Sequence, residues 1–275
     1  MVCRVELICI GNELLIGKTL NTNAHWLSRR LTCIGCTVRR ATVVRDEIKE
    51  IADSLNEALA RKPDFIITTG GLGPTFDDMT LEGVGYGIDR PLEMNKEARG
   101  MLKERYLEFK REGRLKNLTW TKYRLKMARI PQGGKPIKNP VGTAPAVLIE
   151  ENKTTILILP GVPMEMEAIF ESFIPLLKDK SGNASYMERG LKVKGIPESE
   201  MAAMIDVVMQ KHPSVYIKSH PIGLGQESCI ELHLTTVNVN REIAIEEINQ
   251  AFIEISNLIS ERGKRTQSCC EISEA

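Results

Sequence analysis

The sequence predicts an α/β chain: a mainly parallel sheet flanked by helices, followed by a small α+β domain. Three observations carry that expectation. Short apolar runs alternate with segments of helical period through the first half of the chain. Glycines follow two of those runs at once, at Gly11 and Gly70. Beyond a short polar stretch at 179–185, the pattern changes to strands with apolar/polar alternation among two long helical segments.

Each element follows in order. Residues 5–10 form a short apolar run that ends at Gly11 and read as a buried strand. Asn21 or Thr22 can cap the next helix, whose Ala24, Leu27, Leu31 and Ile34 fall on one face. Residues 38–44 are rich in β-branched side chains and read as a strand. A helix over 46–61 buries Ile48, Ile51, Leu55 and Leu59, and a buried strand over 64–69 runs straight into Gly70. This strand–helix–strand–helix–strand order implies right-handed crossovers and a mainly parallel sheet. The next helix begins near Asp78 and reaches 88. Its glycines cost about 1 kcal/mol each relative to alanine. Gly83 and Gly87 share one of its faces, which predicts close packing against another backbone.

Helices over 95–112 and 118–128 carry many lysines and arginines, read as solvated faces. Residues 131–145 read as a Pro/Gly-rich loop, and 147–149 with 154–159 as a hairpin around Glu151 and Asn152. Pro160-Gly161-Val162-Pro163 breaks the chain before a helix to about Leu177. After the linker come a strand (189–195), a helix (197–210), two strands (215–219 and 228–237) and a long helix (241–260). Ile230, Leu232 and Leu234 alternate with Cys229, Glu231 and His233, which suits a sheet covered on one face. The expected domains are residues 1–178 and 186–262, with 263–275 a frayed polar tail.

Composition narrows the function classes. With 275 residues, 42% of them hydrophobic, the chain can bury one large or two modest cores. A formal net charge of +1 shows no basic excess, so no nucleic-acid partner is expected. No apolar run approaches membrane-spanning length and no signal-peptide pattern appears, so no membrane partner is expected and a cytoplasmic protein is. Seven irregularly spaced cysteines do not make a disulfide framework. Cys33-Ile34-Gly35-Cys36 reads as a helix end stopped by Gly35 rather than as a redox or zinc motif. His25, His212, His220 and His233 show no zinc spacing, and no serine or cysteine nucleophile pattern is present.

The chemistry concentrates in residues 68–80, TTGGLGPTFDDMT. A buried strand ends in Thr68 and Thr69, and Gly70, Gly71, Gly73 and Pro74 follow. Such a turn lets an anion approach the backbone closely, at the strand ends where open α/β sheets place ligands. Thr69 and Thr75 add hydroxyls. A tight surface turn would need the same glycines for geometry alone. Asp77 and Asp78 come next, and two carboxylates beside a phosphate repel it unless a hard cation intervenes. If the strands are parallel neighbours, Glu13 and Asp46 emerge on the same rim as Asp78. Asp46 alone would otherwise read as a helix cap. Gly11 and Asn21 flank Glu13 in the first loop. Asn139-Pro140-Val141-Gly142-Thr143-Ala144-Pro145 is a second candidate ligand loop, and Gly161, Pro163 and Glu165 leave a further strand end that could close the site.

At these motifs the chain resembles the amino-terminal part of the competence/damage-inducible CinA family, within the molybdopterin-binding MoaB/MogA-like superfamily. GNELLIGKTLNTNA, TTGGLGPTFDDMT, NPVGTAP and LPGVPMEM occur in the family's order over roughly residues 5–177. The later part resembles the small KH-like domain that follows in CinA proteins. The resemblance implies a three-layer molybdopterin-binding-like fold. It implies metal-dependent hydrolysis of a nucleotide pyrophosphate such as ADP-ribose or FAD, with Mg, Co or Mn as the cation. Relatives that bind or adenylylate molybdopterin imply the alternative of pterin handling, and a non-catalytic nucleotide-binding module is a third.

Under the first reading Asp78, Asp46 and Glu13 are catalytic, and Asp46 and Asp78 hold the metal. The candidate ligand set is Gly11, Asn21, Thr69, Gly70, Gly71, Gly73, Pro74, Thr75, Asp77 and Thr80, with Asn139, Pro140, Gly142, Thr143, Gly161, Pro163 and Glu165. A small-molecule nucleotide or pterin partner and a homo-oligomer, with a dimer favoured, follow from the same resemblance. Four departures stand out. The family's carboxy-terminal deamidase domain has no counterpart here, so deamidation is not expected. Asn12 stands where many relatives carry aspartate. Glycines at 83, 85 and 87 replace the usual alanine-rich helix, and without a clear GxxG loop RNA binding does not carry over.

Overall fold

Strand β1 (Cys3–Ile10) is buried on both faces, apart from Arg4 near its start. Val5, Leu7 and Cys9 fill one side and Ile8 and Ile10 the other, the pattern of a central parallel strand with helices on both sides. The computed structural model describes residues 3–117, 119–222 and 229–273. They divide into two compact units, one within residues 3–28 and 36–180, the other within residues 29–35 and 181–273.

Along the chain β1 is followed by α1 (Asn12–Leu15), α2 (Thr22–Cys33), whose residues from Arg29 onward fall in the second unit, β2 (Cys36–Val44), α3 (Ile48–Ala60), β3 (Phe65–Thr69) and α4 (Thr80–Gly87). Then come β4 (Leu92–Met94), α5 (Lys96–Arg111), α6 (Lys122–Lys126), β5 (Arg129–Pro131), β6 (Lys135–Ile137), β7 (Ala146–Glu151), β8 (Thr154–Leu159), α7 (Pro163–Glu171) and α8 (Ile174–Ser181). Among the described residues one sheet has the order β2-β1-β3-β8-β7-β6. β2, β1, β3 and β8 are parallel, while β7 is antiparallel to both β8 and β6. The expected mainly parallel α/β sheet is therefore present. Its parallel strands deliver the loops after β1, β2, β3 and β8 to one edge.

The glycines of α4 do what their spacing predicts. A Cβ on Gly83 would lie 2.6 Å from that of Ile51, and one on Gly87 would lie 3.1 Å from Ala52 Cα, so α4 packs directly on α3. Three expectations need correction. The helix expected over 118–128 is only the short α6, and Leu118 lies outside the described residues. The 131–145 loop contains β6, paired with β7 through Pro136↔Val147; three residues are too few to show a period in sequence. The helix expected to about Leu177 is two, α7 and α8.

The second unit contains β9 (Ser185–Lys194), α9 (Glu198–Lys211), β10 (Val215–Ile222), β11 (Cys229–Asn238), α10 (Arg241–Glu261) and β12 (Thr266–Ser273). Its sheet has the order β10-β11-β9-β12, with antiparallel pairing throughout. Ile230, Leu232 and Leu234 are buried with α9 and α10 residues such as Met201, Ile248 and Ile255, as the alternation in β11 predicts. Residue 228, the expected first residue of that strand, lies outside the described residues. The expected frayed tail is instead β12, which pairs with β9 from Thr266↔Val193 to Ser273↔Glu188. An edge strand is held by its backbone ladder, so the polar side chains of this segment concealed it.

Candidate active site

At the C-terminal edge of the parallel strands lies a cavity of about 240 Å³. Gly11, Glu13 and Asn21 reach it from the loop after β1, and Asp46 from the loop after β2. Thr69, Gly70, Gly71, Thr75, Asp77 and Asp78 reach it from the end of β3 and its turn, and Gly161 and Pro163 from the loop after β8. The acids of three separate loops thus share one cavity.

The three aspartates are each held by a specific partner. Asp46 does not cap α3; the helix begins after Glu47, and Asp46 Oδ2 accepts the Asn12 N–H at 2.8 Å. Asp78 Oδ2 accepts the Thr75 N–H at 2.7 Å and its hydroxyl at 2.6 Å. The Thr75 hydroxyl also lies in hydrogen-bonding contact with Asp77 Oδ1. That hydroxyl has one proton, so it serves one of the two carboxylates at a time. Its hydrogen bond, with help from Lys126, lowers the Asp77 carboxyl below its ordinary range. Asp46 moves the other way. Burial raises its carboxyl, the Asn12 N–H opposes this, and the charges of Glu13, Asp77 and Asp78 raise it further.

Glycines leave room for these acids. Gly70 and Gly71 have φ of +105° and +63°, conformations that L side chains rarely adopt. A Cβ at Gly70 would lie 2.1 Å from Ile10 O. At Gly73 a Cβ would lie 2.6 Å from Asp78 Oδ2, and at Gly11 equally close to Glu13 Oε1. Gly73 lines a separate, much smaller cavity with Asp78, Glu82 and Lys126 rather than the main one. The N–H groups of Gly70 and Gly11 are committed to Leu159 O and Val44 O, so neither is free for a ligand.

Other expected ligand residues lie elsewhere. Thr80 is buried and ties α4 to the turn, donating its hydroxyl to Gly70 O at 2.7 Å and its N–H to Gly71 O at 3.2 Å. Asn139 fastens its own loop. Its Nδ2 donates to Ala144 O and Glu165 Oε2, while Oδ1 accepts the Val141 and Gly142 N–H groups. Arg105 clamps the same loop through the carbonyls of Val141 and Gly142. Asn139, Pro140, Gly142, Thr143 and Glu165 do not line the cavity, and neither does Pro74.

The sequence reading missed Asn23. It lines the cavity and donates Nδ2 to Gly161 O at 2.8 Å, while its Oδ1 is buried with no partner among the described residues. Its only signal was its place two residues after Asn21, which caps α2 by accepting the Ala24 N–H at 3.0 Å. The histidines take no part: His212 and His233 pair with Glu254 and Glu188 in the second unit.

A family profile described as a probable molybdopterin binding domain matches residues 6–179. A protein of Metallosphaera sedula is 44% identical over 223 residues, covering 81% of each chain. A protein of Sulfurisphaera tokodaii is 42% identical over 255 residues, covering 92% of this chain and 94% of its own. Among solved structures, the protein CinA of unknown function from Thermoplasma acidophilum is 41% identical with a TM-score of 0.57, over 63% of this chain and 98% of its own.

Proposed function

The chain belongs to the probable molybdopterin-binding domain family, and on that premise we propose that its cavity binds a phosphate-bearing nucleotide and hydrolyses its pyrophosphate link. The observation that supports this most is the gathering of Glu13, Asp46, Asp77 and Asp78 beside the Gly70–Gly71 turn. Carboxylates so placed fit a hard divalent cation, since all the donors are oxygens and their charges already raise Asp46. Among the described residues no group of three or more His, Cys, Asp or Glu side chains is arranged to hold a metal ion. Mg²⁺ is commonly held by one or two carboxylates together with substrate phosphate oxygens, so the ligand itself would complete such a site.

Asp46 and Asp78 would hold the ion, each with one oxygen anchored by a backbone N–H. Bound there, the ion would offset the charge that develops as the phosphoanhydride breaks. Glu13 would accept a proton from the attacking water. Water adds to one phosphorus, the bond to the bridging oxygen breaks, and two monophosphates leave. Asn23, whose buried Oδ1 has no partner among the described residues, would receive a donor from the ligand.

Product analysis with ADP-ribose, FAD and NAD, with and without Mg²⁺, Co²⁺ or Mn²⁺, tests the proposal. Metal-dependent AMP release from at least one of them is expected. Its absence from all three would remove the hydrolytic reading.

The family match favours a second reading, in which the same cavity handles a pterin phosphate. ATP would then yield AMP-linked product only when molybdopterin is present. A homo-oligomer is proposed for either reading, and light scattering measures it.

A further inference from the structure

The opposite edge of the same sheet carries another cavity, of about 300 Å³, lined by Arg4, Glu6, Arg39, Arg40, Arg61 and Pro63. Arg4 lies near the start of β1 and Gly11 just past its end. At the rise of an extended strand, Glu6 and Ile10, the nearest β1 residues lining the two cavities, are roughly 13 Å apart.

Two features build this cavity. The first is a bulge. β1 and β2 pair from Cys3↔Cys36 to Val5↔Val38, then resume at Glu6↔Arg40, so Arg39 is an extra residue in β2. Adjacent strand residues ordinarily face opposite sides, and a bulge re-aims one of them. Here both Arg39 and Arg40 line one cavity. The second feature is a fixed frame. Glu6 is only 3% exposed and accepts a two-pronged contact from Arg61, Nε to Oε1 at 2.9 Å and Nη2 to Oε2 at 2.7 Å. Arg4 donates Nη2 to Lys62 O at 2.8 Å, and its Nε lies 3.6 Å from Asp64.

Glu6 is thus matched by Arg61, and Asp64 stands beside Arg4. The exposed side chains of Arg39 and Arg40 have no ion pair among the described residues. Charges on an edge strand deter pairing with other chains, which accounts for a charged β2. It does not account for four guanidinium groups around a single concavity.

We propose that this cavity binds a small phosphate-type polyanion, such as pyrophosphate or the diphosphate or triphosphate group of a nucleotide. Guanidinium groups contact phosphate oxygens in pairs, and a concave pocket of this size suits a small ligand. The site is independent of the chemistry proposed at Asp46 and Asp78.

Calorimetric titration of the whole chain with pyrophosphate, in the presence of EDTA, tests it. Without a divalent cation the carboxylate-lined cavity repels this probe, so the arginine cavity is the site that responds. One saturable event is expected in the wild type. In R39Q/R40Q it should weaken about tenfold or more, the loss expected for a charged hydrogen bond. R39K/R40K should fall between, because lysine keeps the charge and loses the fork. Both side chains are exposed, so circular dichroism should show each variant folded. R39Q/R40Q should also keep any AMP release at the other cavity, and D46N/D78N should keep the pyrophosphate binding, so the two proposals fail separately. Absence of saturable binding in the wild type, or equal binding by R39Q/R40Q, overturns the site. Binding of a polyglutamate peptide through the same arginines, with none of pyrophosphate, overturns it in favour of a protein partner.

Discussion

Asp46 illustrates the tension at single residues. Burial and the neighbouring acids raise its carboxyl, so the folded chain disfavours the ionised form. The sign follows by linkage. Below the ordinary aspartate value near pH 4, folded and unfolded chains are both protonated and no penalty acts. The penalty grows as pH rises through the raised folded range and is full at neutral pH. Asp46→Asn therefore raises the melting temperature of the ligand-free protein at pH 7, by roughly 1–2 °C after solvent screening, and has no effect at pH 3. Thermal melts at the two pH values check this. Arg61 shows the reverse case. Its removal leaves the buried Glu6 carboxylate unpaired, so Arg61→Ala should cost about 3 kcal/mol in urea denaturation.

Elements position these residues through close backbone contacts. Gly70→Ala would force a Cβ against Ile10 O and a strained φ, and should destabilise by roughly 2–4 kcal/mol, read from the urea midpoint. Gly83→Ala would press on Ile51 and should cost about 1–3 kcal/mol. Both effects were legible in sequence, because a glycine directly after an apolar run, or glycines repeated on one helical face, mark a backbone approached too closely for a side chain. β3, α3 and α10 were legible for the related reason that long periodic or continuous apolar segments admit one reading. β12 and β6 were not. Their stability comes from backbone pairing with strands distant in sequence, which leaves no local pattern. The loop held by Asn139 misled in another way: turn residues that fasten a loop look the same as turn residues that hold a ligand.

At the scale of the molecule, Leu102 and Leu232 lie fully buried in two different hydrophobic clusters among the described residues. The two clusters share no residue. Leu102→Ala and Leu232→Ala should each cost about 3 kcal/mol, and the double variant should show their sum to within about 0.5 kcal/mol by chemical denaturation. The parallel sheet of the first unit is what turns separated acids into one site. Glu13, Asp46 and Asp78 are far apart in sequence, and parallel pairing of β1, β2 and β3 brings their loops to one edge. That convergence could be anticipated from strand order. Asn23 could not, because its contact with Gly161 depends on where the loop after β8 returns. No helix among the described residues is long and apolar enough to cross a membrane. The most direct measurement is the rate of AMP formation from ADP-ribose as Mg²⁺ is titrated, in wild type and in the near-isosteric Asp78→Asn. The proposed chemistry predicts a rate that saturates with the metal and falls about 100-fold or more in the variant. A rate indifferent to the metal, or equal in the two proteins, would contradict it.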